Sequence, residues 1–118
     1  MFFKRKREES LEEKLNYMVS RCTERLVLLE AIIFAVENYM SVAEMILESE
    51  DSKDAKEKLC KIYRFSEAQS QAIIDMRIKA LTKAERKKLL DECQECRNRY
   101  KELQKEKANL ETGFKEEK

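Results

Sequence analysis

Hydrophobic residues towards both ends of the chain recur with the spacing of long helices that pack along one stripe. Between Leu89 and Phe114 they alternate in steps of four and three residues, and Lys107 is the one polar interruption. Between Leu11 and Met40 the steps are nearly the same, with one additional four-residue step. This spacing predicts two long helices of a coiled coil. The stripe residues are Leu11, Leu15, Met18, Cys22, Leu26, Leu29, Ile33, Val36 and Met40, and then Leu89, Cys93, Cys96, Tyr100, Leu103, Lys107, Leu110 and Phe114.

Capping residues predict where the other helices begin. A Ser or Thr lies three residues before a Glu or Gln at Ser41, Ser66 and Thr82, so that each hydroxyl can accept from a free backbone amide of the first helical turn. Another start is predicted near Asp51 or Ser52, where acidic residues complement the helix dipole. The predicted helices cover about 8–39, 41–49, 52–64, 66–79 and 82–112.

The two long helices match in length, since thirty residues of α-helix span about 45 Å. If the chain folds back on itself, stripe residues of the first helix lie opposite stripe residues of the last helix. The residue numbers of each pair have nearly the same sum, as an antiparallel hairpin requires. The pairs are Leu11 with Leu110, Met18 with Leu103, and Leu29 with Cys93. The predicted fold is therefore all-α. A long antiparallel two-helix coiled coil (the arm) carries a small helical knob, residues 41–81, at its tip, in a single domain 1–118.

The predicted helix 66–79 is apolar over more of its circumference than one thin core requires. Its two apolar sides consist of Ile74, Ile78 and Leu81, and of Ala72, Ile73 and Met76. Two interpretations remain open from the pattern. Either both sides belong to the core of a monomer, or one of them packs against a second molecule.

Composition narrows the class of protein. Glycine occurs once and proline never, which excludes sheet folds because these need frequent turn residues. With 25 basic and 24 acidic residues, the chain lacks the positive excess of a non-specific DNA or membrane binder. Its one basic cluster, which we expect to make at most weak DNA contact, is Lys4, Arg5, Lys6 and Arg7. With no secretory signal ahead of the four cysteines, we expect reduced thiols and a cytoplasmic location.

The candidate chemistry is sparse. Histidine is absent, which removes the commonest general base and metal ligand. Cys93 and Cys96 have the CxxC spacing of zinc or redox sites, but both occupy stripe positions, where cysteine acts as a small apolar residue. Arg99 and Tyr100 are an arginine–tyrosine pair without a neighbouring acidic cluster, and Tyr100 also lies on the stripe. We therefore expect no catalytic residue and no metal or cofactor site in this chain.

One long segment resembles a known signature. Residues 65–85 read FSEAQSQAIIDMRIKALTKAE, similar to a signature of the A subunits of bacterial type IIA DNA topoisomerases, DNA gyrase and topoisomerase IV. The runs 25–33 and 45–59 resemble the same family, so that the likeness covers about residues 4–110. The chain departs from the family at Lys83 and Ala84, where the signature has glycine and leucine.

The resemblance implies a function for the surplus apolar side. In that family the region is a coiled-coil arm whose knobs meet across a two-fold axis and form the exit gate for transported DNA. It implies a homodimer whose contact residues would be Ile73, Ile74, Met76, Arg77, Ile78, Leu81 and Thr82. The full enzyme is an ATP-dependent isomerase of DNA topology that also uses Mg²⁺. Its catalytic tyrosine and its B subunit lie outside this region, so we expect no DNA cleavage by this chain alone.

Two alternatives belong to other functional classes. The chain could be a stand-alone regulator that forms heterodimers with the gate of a host topoisomerase, and its altered corner at Lys83 and Ala84 is compatible with altered pairing. It could also be a helical-hairpin adaptor that binds nucleic acid through the basic cluster 4–7. That second alternative predicts salt-sensitive DNA binding.

Overall fold

The computed structural model describes the backbone of residues 2–116 and the side chains of residues 11–110. Within this range the chain is helical and contains no strand, which confirms the all-α class. The five α-helices described are α1 (Phe2–Glu37), α2 (Tyr39–Leu47), α3 (Ser52–Tyr63), α4 (Glu67–Ile74) and α5 (Lys83–Glu116), with a short 3₁₀ helix at Ile78–Leu81 between the last two.

The chain forms two compact units. The first unit contains residues 1–26 and 94–118, and the second contains residues 27–93. In the first unit, α1 and α5 touch where the Cys22 thiol donates a hydrogen bond to the Cys96 carbonyl oxygen at 3.0 Å. Cys22 and Leu103 are buried as their stripe positions predict. Leu11 and Met18 are more exposed than predicted, because a stripe residue of a two-helix unit is covered from one side only.

The second unit has a core to which α1, α2, α3 and α4 all contribute. Its buried members are Ala31, Ala35, Val42, Met45, Leu59 and Ile73. Ala31 and Ala35 are four residues apart and thus lie on one face of α1. Their small side chains let the other helices approach the α1 backbone closely. The sequence pattern did not single out these two alanines, because it emphasised the larger residues of the stripe.

Three aromatic rings pack the end of α3 against α1. The Phe34 ring meets the rings of Tyr63 and Phe65 edge to face, with centroids 5.2 and 5.5 Å apart. Arg64 lies between Tyr63 and Phe65 in the chain and ends α3 in the left-handed conformation, with φ of 59°. Such a residue reverses the chain at a helix C-terminus. It places Phe65 beside Tyr63, at a centroid distance of 5.8 Å.

Three predicted helix starts are confirmed and one is wrong. Ser66 forms a complete capping box, Asp51 accepts from the Asp54 amide, and the Thr82 hydroxyl accepts from the Glu85 amide at 3.3 Å. Ser41, by contrast, lies inside α2, which begins at Tyr39. Asn38 makes the corner instead: its backbone amide and its side-chain amide both donate to the Phe34 carbonyl, each at 2.9 Å, and hold Asn38 at the end of α1. Met40 consequently belongs to α2 and leaves the α1 stripe.

The predicted helix 66–79 is also wrong, because the chain breaks after Ile74. The Asp75 carboxylate accepts from the Gln71 side chain at 3.1 Å, and the Met76 amide closes a tight turn onto the Ile73 carbonyl. Arg77 is extended, and the 3₁₀ helix follows. The apolar residues continue through this break, so periodicity alone indicated one helix where the backbone makes two.

Among the described residues, no single helix is long and apolar enough to cross a membrane. The segments Leu11–Glu37 and Tyr39–Leu47 have the necessary length and apolar composition only when they are taken together, and the chain bends by 88° between them.

Candidate interface on the second unit

An apolar groove of about 270 Å³ lies on the second unit, between α2 and the segment that links α4 to the 3₁₀ helix. Its α2 wall consists of Tyr39, Val42, Ala43, Ile46 and Leu47. Its other wall consists of Ile73, Ile74, Met76 and Ile78. All nine side chains are hydrophobic or aromatic, so the groove offers an apolar surface to a ligand or partner.

The rim of the groove exposes large aliphatic side chains. Leu47 is 84% exposed on one side and Ile78 is 77% exposed on the other. Met40, one α2 turn before the groove residue Ala43, is 81% exposed. Single exposed aliphatic residues are ordinary on protein surfaces, but a cluster around an apolar groove is typical of an interaction site.

The α2 sequence explains one wall. Val42 and Met45 face the core of the second unit and are buried. Tyr39, Ala43 and Leu47 follow one another at four-residue spacing, so they form a different face of the same helix. α2 is thus apolar on both faces; the first is buried, whereas on the second Tyr39 and Ala43 are half-buried and Leu47 is exposed.

The break after α4 explains the other wall. Ile74 and Met76 are half-buried and pack against the core cluster. Because the helix ends at Ile74 and Arg77 is extended, Ile78 is not held against the core as the next turn of a helix. Its side chain is therefore left at the rim.

The structure separates the seven predicted contact residues into two groups. Ile73, Ile74, Met76 and Ile78 all line the groove, and Ile73 lies at its base with 3% exposure. The remaining three do not line it. Arg77 is exposed, Leu81 is half-buried, and the Thr82 hydroxyl donates to the Lys79 carbonyl at 2.8 Å while it caps α5. The side chains of the predicted DNA-contact cluster lie outside the described residues: Lys4, Arg5, Lys6 and Arg7.

Sequence reasoning missed the α2 half of the groove. Tyr39, Ala43 and Leu47 were not among the predicted contact residues, and Met40 was assigned to the α1 stripe. A usable signal was present, because the short segment 39–47 contains apolar residues on every side and only Ser41 and Glu44 are polar. A helix that is apolar all round is buried on more than one side.

The cysteines act as packing residues in the described part of the chain. All four are free thiols; Cys22 and Cys93 are buried, and Cys60 shares a hydrogen bond of 3.2 Å with the Ser70 hydroxyl. Ser70 belongs to α4 and is itself fully buried. Among the described residues, no three Cys, Asp or Glu side chains are grouped so that they could hold a metal ion.

Charged groups of the described residues serve local structure. Arg99 pairs with Glu102 at 3.7 Å on the exposed surface of α5, and Tyr100 is half-buried. The pKa of Asp54 is lowered from its ordinary value of 3.8, chiefly because the Glu50 backbone amide donates to its carboxylate and also because Lys58 lies 3.3 Å away. This carboxylate stabilises the start of α3.

Comparison with known proteins agrees with the signature in residues 65–85. The A subunit of DNA gyrase from Staphylococcus aureus strain MRSA252 is 34% identical over 94 residues, which is 80% of this chain and 11% of that protein. The probable chloroplastic/mitochondrial DNA gyrase A subunit of Oryza sativa is 32% identical over 82 residues, 70% of this chain and 9% of that protein. The DNA gyrase A subunit of Leptospira biflexa is 31% identical over 91 residues, 77% and 11% of the two chains.

The chain thus spans about a tenth of the length of these relatives. The family model for the A subunit of DNA gyrase/topoisomerase IV matches residues 1–117, nearly the entire chain. The resemblance seen in the sequence is thereby confirmed, and the chain belongs to the family of DNA gyrase and topoisomerase IV A subunits.

Proposed function

We propose that this chain is a structural dimerisation module that forms the DNA exit gate of a type IIA topoisomerase, with two copies meeting through the apolar groove. The observation that carries the proposal is the position of the groove. One wall, from Ile73 to Ile78, falls inside the signature segment 65–85. The other wall, on α2, supplies the exposed Leu47.

A groove with protruding rim residues suits a two-fold contact. In such a contact each surface must complement a rotated copy of itself. Leu47 and Ile78 protrude beside a depression of about 270 Å³, so the rim of one copy can enter the groove of the other. Burying Leu47, Ile78 and Met40 from both copies contributes about 9–18 kcal/mol, since each of the six side chains contributes about 1.5–3 kcal/mol. That is comparable to the cost of associating two proteins.

The arm is the second part of the proposal. The first part of α1 belongs to the same compact unit as the later part of α5. That grouping supports an antiparallel hairpin, since a parallel pair would group the early parts of both helices. A carbonyl of an α-helix points along the helix axis towards the residue four positions later, so the Cys96 carbonyl lies near the level of residue 100 of α5. Its hydrogen bond with Cys22 therefore places Cys22 opposite this level. That pairing has the same register as the predicted pair of Leu29 with Cys93.

In the complete enzyme, this module would release the transported DNA duplex after that duplex has passed through a second duplex, which other domains cleave. The cleavage tyrosine, the Mg²⁺ site and the ATPase would all belong to those domains and to the B subunit. The chain itself would change DNA topology only as part of that assembly. Any contact with transported DNA would be weak and would involve the basic cluster 4–7.

Sedimentation equilibrium of the 118-residue chain tests the proposal. We expect a dimer at micromolar concentration, and a folded monomer for Leu47→Glu, because a carboxylate cannot be solvated inside a packed contact. The matched control is Ile62→Glu. Ile62 is also an exposed aliphatic residue, 61% exposed, but it lies on α3 and does not line the groove. This control should remain a dimer.

A wild-type chain that stays monomeric at high micromolar concentration would refute the homodimeric gate. Capture of an intact gyrase A subunit by that monomeric chain would then favour the stand-alone regulator. Dissociation by Ile62→Glu with no effect of Leu47→Glu would place the dimer contact on a different surface.

A further inference from the structure

A second cavity of the second unit has a different chemical character from the apolar groove. It has a volume of about 290 Å³ and lies between the end of α1 and the beginning of α5. Its apolar lining consists of Ile33, Val36, Leu89 and Leu90. Its charged lining consists of Lys83, Arg86, Lys87 and Glu37. None of these residues lines the apolar groove.

The charged residues are concentrated on α5. Lys83, Arg86 and Lys87 occupy one face of its first turns, at spacings of three and four residues. Within the described residues, none of the three forms an ion pair, and like charges at this spacing repel one another. They also lie at the helix N-terminus, where the helix dipole adds further positive potential. An anion held at this face would relieve the repulsion.

The opposite wall limits where such an anion can lie. Glu37 is the single carboxylate of the lining and belongs to the last turn of α1. It disfavours an anionic group on its own side. The negative end of a ligand is therefore directed to the cations of α5, among them Arg86 and Lys87, and its apolar part to Ile33 and Leu89.

We propose that this cavity binds a small amphipathic anion, with an apolar body between α1 and α5 and a carboxylate, sulfonate or phosphate beside Arg86 and Lys87. The volume of about 290 Å³ lies just below the range of about 300–1,000 Å³ that is usual for small-molecule pockets. It therefore suits a small ligand with a short apolar body. Neither the family membership nor the dimer contact requires this site.

Octanoate is a suitable probe, and octan-1-ol is its uncharged counterpart. Titration of the ¹⁵N-labelled chain, followed by NMR, reports both affinity and location. We expect saturable shifts of Val36, Lys87 and Leu90 with a Kd of about 1 mM or lower for octanoate. Octan-1-ol should bind at least about tenfold more weakly, because it forms no ion pair. Raising the salt concentration should weaken octanoate binding, since the cations are exposed to solvent.

Two variants separate the site from general attraction to a charged helix. Lys87→Gln should weaken octanoate binding about two- to fivefold, because it removes one solvent-exposed partner of the head group. Lys101→Gln is the control: Lys101 is also exposed on α5 but does not line the cavity, and its removal should leave the Kd unchanged. Glu37→Gln should tighten binding, because it removes the opposing carboxylate.

Several results would overturn the proposal. A spectrum that octanoate leaves unchanged at about 10 mM, far above the expected Kd, would exclude binding. Equal affinity for octanoate and octan-1-ol would mean that the cations make no contribution. Shifts confined to Leu47 and Ile78 would move the ligand to the apolar groove, and equal losses from Lys87→Gln and Lys101→Gln would indicate non-specific attraction.

Discussion

Ile73 and Ile78 are five residues apart in the same apolar segment, but truncation of each should have a different consequence. Ile73 is 3% exposed and belongs to the core of the second unit, whereas Ile78 is 77% exposed at the rim of the groove. Ile73→Ala should therefore lower the free energy of unfolding of a monomer by about 2–5 kcal/mol, the range for aliphatic truncation in a packed core. Ile78→Ala should lower it by no more than about 0.5 kcal/mol, as is usual for an exposed position.

The dimer should respond in the opposite way. Truncation of Ile78 to alanine removes about three carbon groups, worth about 0.8 kcal/mol each when they are transferred from water to a packed contact. Because 77% of Ile78 is available for burial, the loss is about 2 kcal/mol per copy and about 4 kcal/mol per dimer. The dimer Kd should then rise roughly a thousandfold.

Two assays keep these effects apart. Urea unfolding, performed in a Leu47→Glu background so that dissociation does not contribute, reports the stability of the monomer. Sedimentation equilibrium in the wild-type background reports the dimer. Equal losses of monomer stability at the two positions would refute the assignment of Ile78 to the rim, and an unchanged Kd for Ile78→Ala would remove Ile78 from the contact.

Three further predictions concern local structure. Arg64→Gly should stabilise the chain by about 0.5–1 kcal/mol in thermal or urea unfolding, because glycine adopts positive φ without the strain of a side chain; a loss of stability would contradict the left-handed turn. Ser66→Ala should destabilise it by about 1 kcal/mol, since the N-cap of α4 is lost, and Ser66→Asp should retain most of the stability. Asp54 has a folded-state pKa below its ordinary value of 3.8, so its stabilising effect is complete above that value and is lost as the pH falls through the lower folded pKa. Asp54→Asn should therefore reduce stability at neutral pH and flatten the loss of stability that occurs as the pH falls through the ordinary and the lower folded pKa, as followed by urea titrations at a series of pH values.

Much of the fold could be predicted from the sequence because the determining interactions are local. Stripe spacing predicts α1 and α5, and the hydroxyl and carboxylate caps at Asp51, Ser66 and Thr82 place three helix starts. Each of these signals acts within one or two turns of helix. The family could likewise be identified from residues 65–85, since that segment is long and contiguous.

The candidate interface depended on tertiary structure. The break after Ile74 leaves Ile78 at a rim rather than in a core, and the corner at Asn38 moves Met40 from the α1 stripe to the exposed surface of α2. Ile78 and Met40 would be apolar whether they were buried or exposed. The hydrophobic pattern of the sequence therefore does not show where the chain breaks or turns. Residue type and spacing determined which elements form. Which apolar face of α2 and of the 73–78 segment stays uncovered was decided by packing, because burial depends on neighbours that are distant in the chain.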